Sequence, residues 1–251
     1  MKVTILTVAY DKDLEYLKLN LQSINKFCKK YHENVVVIDD HKNDCDRTRE
    51  YLESINQKYF INTDAKKIKK GYIRQQFIKL FSEQYVSDDT DFICHVDCDN
   101  LFYSVHDPRV YFEKTLPVLG IQSWNHRNNK FKSITEEVLE YKTGFNFMRR
   151  MPLVYPTRLF QELRSCITKL KGDLVEYLNT LETLSEYNLL GAYAYKFRSN
   201  IFHWVDMKDR EKWRHYRSLV PCEQYSSKPD QWRRYMDLSK PNHMVKLITG
   251  E

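Results

Sequence analysis

The chain opens on an unbroken apolar run, Val3 to Ala9, rich in β-branched residues, which predicts a strand buried on both faces. The period then changes. Leu14, Leu17, Leu21, Ile24 and Phe27 recur at spacings of three and four, so residues 13–29 predict a helix with one apolar face, and Asp13 can cap it. Residues 34–38 form a second apolar strand ending in Asp39-Asp40. Next come a helix over 46–55, a short strand over 58–61, and an amphipathic helix over 71–85 carrying Ile73, Phe77, Leu80 and Phe81. A strand over 91–96 closes this half. Strand and helix alternate throughout, which predicts an α/β fold: a mostly parallel, Rossmann-like sheet flanked by helices. Such sheets bind ligands at the carboxyl ends of strands, where strand order reverses. Three polar clusters fall at those ends: Tyr10-Asp11, Asp39-Asp40 and Asp97-Cys98-Asp99.

The second half is less regular. Residues 118–123 and 144–148 read as strands, 156–171 and 174–184 as helices, and 185–195 as a further helix capped by Ser185. A short strand over 201–205 precedes a strongly basic stretch, 208–217, and a tail broken by Pro229 and Pro241. Among 251 residues, 6 glycines and 7 prolines leave little for long flexible linkers, and 42% hydrophobic residues suffice for one large core. The formal charge of +6 suits an anionic ligand or a membrane surface. No nucleic-acid-binding module is present in the sequence, so no nucleic-acid partner is expected. The six cysteines form no CxxC pair and no zinc spacing, which points to a reducing compartment. No apolar run approaches the ~18 residues of a membrane span. The expectation is a soluble cytoplasmic protein with no transmembrane segment, free to touch a membrane peripherally.

The candidate chemistry centres on HVDCDN, residues 95–100. Side chains alternate along a strand, so Asp97 and Asp99 are expected to point to one side and Cys98 to the other. Two adjacent carboxylates are a hard oxygen site suited to Mn²⁺ or Mg²⁺. The plainer alternative is an acidic, solvated turn. Haloacid-dehalogenase-like phosphatases also carry DxD, but residue 101 is Leu and the later carboxylate pair is missing, since Gly172-Asp173 is followed by Tyr177. In the helix GYIRQQFIKL, Arg74 and Lys79 can reach a base or phosphate, and Gln75 or Gln76 a ribose or sugar hydroxyl. The alternative there is a merely wetted polar face.

The segments VTILTVAY, VVVIDD and FICHVDCDNLF, with GYIRQQFIKL before the DxD and SEYNLLGAYAY after it, resemble the nucleotide-sugar glycosyltransferases of the GT-A fold. The resemblance covers most of residues 1–205, and GYIRQQFIKL with SEYNLLG is similar to a family of bacterial and viral glycosyltransferases. It implies a GT-A domain over 1–206, with a nucleotide-binding half (1–103), an acceptor half (104–206) and a basic C-terminal extension (207–251). It implies a metal on the donor diphosphate held by Asp97 and Asp99, with His203 as a third ligand and Cys98 inside the donor-binding stretch. Asp39 or Asp40 would contact the base or ribose, and Thr7, Ala9 and Tyr10 would line the nucleotide pocket. Glu186 would deprotonate the acceptor hydroxyl, although the better-known inverting pattern has Glu-Asp where this chain has Glu186-Tyr187. Trp124-Asn125-His126, Gly144 and Asn146 would line the sugar or acceptor side. The basic stretch 207–217 and Trp232, Arg233 and Arg234 would grip an anionic acceptor or membrane, or form a solvated helix.

The expected activity is transfer of a sugar from a nucleotide sugar, with UDP as carrier, to a glycan or glycolipid acceptor with inversion. Three alternatives stay open. One is a retaining transferase. Another is a sugar-nucleotide nucleotidyltransferase, which wants a Gly-rich loop where residues 9–14 have no Gly. The third is a basic binding module without catalysis.

Overall fold

The computed structural model describes residues 1–40, 45–125, 129–148 and 152–224. In chain order the elements are β1 (Val3–Ala9), α1 (Leu14–Phe27), β2 (Glu33–Asp39), α2 (Asp46–Ser54), β3 (Tyr59–Asn62), α3 (Gly71–Leu80) and β4 (Phe92–His95). Then come β5 (Asn100–Phe102), β6 (Phe112–Glu113), β7 (Leu116–Ser123), α4 (Asn129–Leu139), β8 (Phe145–Asn146) and β9 (Leu153–Pro156). The remainder is α5 (Arg158–Lys171), α6 (Leu174–Thr180), α7 (Glu186–Phe197), β10 (His203–Asp206), α8 (Arg210–Ser218) and β11 (Cys222–Gln224).

The main sheet has the order β3-β2-β1-β4-β9. The first four strands are parallel, and β9 runs antiparallel to β4. All seven residues of β1 are buried, as expected for a central strand covered on both faces. Strand order reverses at β1, because β2 and β3 lie on one side and β4 on the other. Ala9 pairs with Ile38 and Leu6 with His95, which brings Tyr10, Asp39 and Asp97 to one end of the sheet. A crevice at this point is where an open α/β sheet binds ligands. Helices α3, α5 and α7 pack their apolar faces into the largest core cluster, which includes Leu6, Ile73, Phe77, Ile93, Phe160 and Leu190. Among the described residues, no helix is long and apolar enough to cross a membrane.

The structure departs from the sequence reading in instructive places. β4 stops at His95, and residues 97–99 form a turn closed by the Asn100 N–H donating to the Asp97 carbonyl at 2.9 Å. Strand alternation therefore does not orient Asp97 and Asp99. Asp13 makes no side-chain cap bond to α1. Pro156 ends the fully buried strand β9 instead of opening a helix, and α5 begins at Arg158. Helix α6 ends at Thr180, with Leu181 and Leu184 buried beyond it. Residues 207–224, at the start of the C-terminal extension, pack on the body. The Met207 N–H bonds to the Ile121 carbonyl at 2.9 Å, β11 pairs antiparallel with β5, and Trp213 of α8 lies against Gly120. The tail residues Trp232, Arg233 and Arg234, and His126, lie outside the described residues.

Gly191 sets how closely α7 approaches its neighbour. A Cβ there would stand 2.3 Å from the Cβ of Phe147, whose ring is buried. Gly191→Ala is expected to cost about 1–3 kcal/mol by overpacking. That corresponds to a melting temperature lower by roughly 2–12 °C for a domain this size. Thermal unfolding checks this; an unchanged midpoint would contradict the close contact.

Candidate active site

Helix α3 builds the site. Only Gly71 and Tyr72 on it are exposed and Gln75 is half-buried, so its polar residues Arg74, Gln76 and Lys79 are inside, at 4–5% exposure. Buried polar groups require partners, and buried charges require opposite charges. Each of the three finds them on a different element. The Arg74 Nε donates to Asp39 Oδ2 at the end of β2 at 2.6 Å, and its Nη1 to the Ile68 carbonyl at 3.3 Å. Gln76 Oε1 accepts from the Glu186 N–H at 3.2 Å, at the first turn of α7. Lys79 Nζ donates to Asp97 Oδ1 at 2.7 Å and to the Tyr187 hydroxyl at 2.8 Å, and lies 3.0 Å from Glu186 Oε1. The wetted-face alternative for this helix is thereby excluded.

The electrostatics follow from burial. Burial alone would lower the Lys79 pKa, but Asp97 and Glu186 outweigh it and hold the ammonium charged well above its ordinary range. Burial raises the Glu186 carboxyl against the pull of Lys79. Burial and then Asp97 push the Tyr187 hydroxyl up, so it stays a neutral hydrogen-bond partner. Beneath them, His95 is kept neutral by burial and by the Lys79 charge, with its Nε2 2.7 Å from Ser82 Oγ. On the other side of the crevice the Tyr10 hydroxyl donates to the Gly71 carbonyl at 3.2 Å, and burial with the nearby Asp39 charge raises its pKa. Asp40 is buried with Lys66 Nζ 3.5 Å away.

The expected site residues thus fall into groups. Tyr10, Asp39 and Arg74 come together at the ends of β1 and β2. Lys79, Asp97 and Glu186 come together below β4 and at the start of α7. Thr7 and Ala9 do not line a pocket: both are fully buried in β1, which is covered on both faces. Arg74 and Lys79 turn inward onto carboxylates instead of presenting themselves to a phosphate. Gln75 is half-buried, and it is its neighbour Gln76 that links α3 to α7. Cys98 packs against the cluster of Ala9, Leu17 and Leu21, and burial raises its thiol pKa. The Trp124 indole N–H donates to the Thr143 carbonyl at 3.1 Å, and Asn146 Oδ1 accepts from the Met148 N–H at 2.9 Å. Gly144 has open space around its Cα.

Sequence reasoning missed Tyr187 and Gln224. Tyr187 adjoins a candidate it did flag. Gln224, which donates to Asp99 Oδ2 at 2.8 Å, lies 125 residues away and carries no local signal.

The metal expectation meets a specific obstacle. One oxygen of Asp97 is 2.7 Å from an ammonium, and the two of Asp99 accept from Asn100 at 3.1 Å and Gln224 at 2.8 Å. His203 begins β10 in the second sheet, with its ring 5.9 Å from that of Tyr216. Among the described residues, no three His, Cys, Asp or Glu side chains gather where an ion could be held. The arrangement does not fit a divalent ion at Asp97.

No family model and no curated protein matches the chain. Solved structures similar to it include the galactosyltransferase LgtC in complex with donor and acceptor sugar analogs. That similarity has 13% identity and a TM-score of 0.49, over 75% of this chain and 69% of that one. What the crevice can do is decided by its side chains.

The Arg74–Asp39 pair tests the framework. Both side chains are nearly inaccessible, at 6% and 0% exposure. Arg74→Ala leaves the Asp39 carboxylate without its cation and is expected to cost about 3–5 kcal/mol. The denaturant midpoint reads this out, and a loss below about 1 kcal/mol would mean that the pair is not buried as described.

Proposed function

We propose that the protein transfers a sugar from a nucleotide sugar to a hydroxyl of a glycan or glycolipid acceptor. The observation that carries this reading is the reversal of strand order at β1, the point where an open α/β sheet binds ligands. It gathers an aromatic and acidic group (Tyr10, Asp39, Asp40) and a carboxylate group (Asp97, Glu186) at one sheet end. The first group suits a nucleoside: Tyr10 offers a ring and Asp40 a carboxylate for base or ribose hydroxyls, with UDP the expected carrier. The amino end of α3 lies beside Tyr10 and carries no side-chain cap, and Lys66, Lys67, Lys69 and Lys70 precede it. A helix amino end flanked by lysines favours a diphosphate and the charge that develops on it as the sugar leaves. Asp97, with its side chain 31% exposed, faces the cleft on the sugar side. The resemblance implies Mn²⁺ or Mg²⁺, and the Lys79 ammonium already occupies one oxygen of Asp97.

Inversion needs a base at the acceptor hydroxyl, and Glu186 is the carboxylate at that side. One observation favours the second reading, retention. Glu186 is 1% exposed and paired with Lys79, so an acceptor hydroxyl does not reach it in this structure.

Incubation with a panel of nucleotide sugars, scoring slow donor hydrolysis, identifies the donor. Asp97→Ala and Asp99→Ala are expected to reduce donor turnover by about 100-fold or more, as removal of a positioned polar group at a reacting centre does. Full activity in either variant sinks the reading. With an acceptor in hand, the product anomer by NMR separates inversion from retention.

A further inference from the structure

The Lys79 ammonium donates to Asp97 Oδ1 at 2.7 Å and to the Tyr187 hydroxyl at 2.8 Å, and forms an ion pair with Glu186 Oε1 at 3.0 Å. Its side chain is 5% exposed, so solvent hardly shares it. Two of the three partners sit on α7, behind the ammonium. If Lys79 swung out of the way, Glu186 would be left as a buried carboxylate without a cation, an expensive arrangement. The cation is therefore anchored from the rear. Asp97, the partner that faces the cleft, meets a charge that cannot readily leave.

A divalent ion on the same carboxylate would sit about 2.1 Å from its oxygen. That places it no more than about 5 Å from Nζ if it shares Oδ1, where like charges repel strongly in a poorly hydrated site. Asp99 accepts one hydrogen bond on each oxygen, from the side-chain amides of Asn100 and Gln224.

We propose that Lys79 is the resident cation of the Asp97 carboxylate, a positioning residue that fixes Asp97 toward the cleft and closes it to a divalent metal. The inference deepens the transferase reading, because it says the first acid of the DxD works without an ion. Its test does not depend on that reading, since it uses the metal alone.

The experiment is a calorimetric titration of Mn²⁺ into the full chain, without nucleotide, for the wild type and for Asp97→Asn, Lys79→Met and the Lys79→Met/Asp97→Asn double variant. Wild type and Asp97→Asn are expected to show the same Mn²⁺ affinity, or none measurable. Lys79→Met uncovers the carboxylate, and its affinity is expected to rise by about tenfold or more, the scale on which residues adjoining a metal site act. The double variant is expected to lose that gain. A merely structural lysine would not tighten metal binding when removed. Wild-type binding that weakens about tenfold or more in Asp97→Asn overturns the proposal, because Asp97 would then be a ligand despite Lys79. An unaltered affinity in a folded Lys79→Met, checked by circular dichroism, overturns it as well. If Lys79→Met does not fold, the comparison of wild type with Asp97→Asn still decides. Failure of the transferase reading shows separately, as no nucleotide sugar consumed by the wild type.

Discussion

The site rests on one buried ammonium. Lys79 draws its partners from two places far apart in sequence: the turn after β4 and the start of α7. Such a charge is tolerable in the interior only if every partner is in place. The position of α3 over the sheet and the approach of α7 to it are therefore not independent. The absence of a side chain at Gly191, which lets α7 close onto Phe147, belongs to the same constraint. So does the bond from Gln76 to the first backbone N–H of α7. What reads locally as helix packing also fixes where Asp97 stands.

A second pair, Arg74 with Asp39, does for β2 what Lys79 does for β4. The two cations are five positions apart on α3, about 140° around the helix. They reach the ends of strands on opposite sides of β1, so one helix spans the reversal point and ties both walls of the crevice. Consequently neither cation is free to act as a simple phosphate clamp. The lysines just before α3 are exposed or half-buried, and of these Lys66, Lys67 and Lys70 are themselves ion-paired, with Asp40, Asp64 and Glu182.

Much of this was legible in the sequence. The alternation of strand and helix, the acidic ends of β2 and β4, and the start of α7 at Glu186 all follow from apolar periodicity and turn chemistry. These signals encode which faces are buried. They do not encode which buried polar group meets which. Lys79 stands between Ile78 and Leu80, and nothing local named Asp97 and Glu186 as its partners. Asp97-Cys98-Asp99 was misplaced on a strand because the apolar run before it gives no sign that pairing with β1 ends at His95. Strands β9 and β11 were missed for a related reason: four and three residues long, each exists through a partner strand distant in sequence.

In the proposed sugar transfer, the burial of Glu186 bears on which role it can take. A carboxylate that neutralises Lys79 is not at the same moment a free base for an acceptor hydroxyl. Anchoring and proton removal are competing uses of one side chain. Under inversion, Glu186 must exchange its pairing for contact with the acceptor, and Lys79 and Asp97 shift their balance with it. Under retention, Glu186 keeps Lys79 in place throughout and never meets the acceptor. In both cases Asp97 depends on Glu186 through Lys79, so loss of Glu186 disturbs the donor side either way. A loss of turnover at position 186 therefore does not identify a base. The stereochemistry of the product separates the two cases, because it reports the displacement itself and not the integrity of the network that holds it.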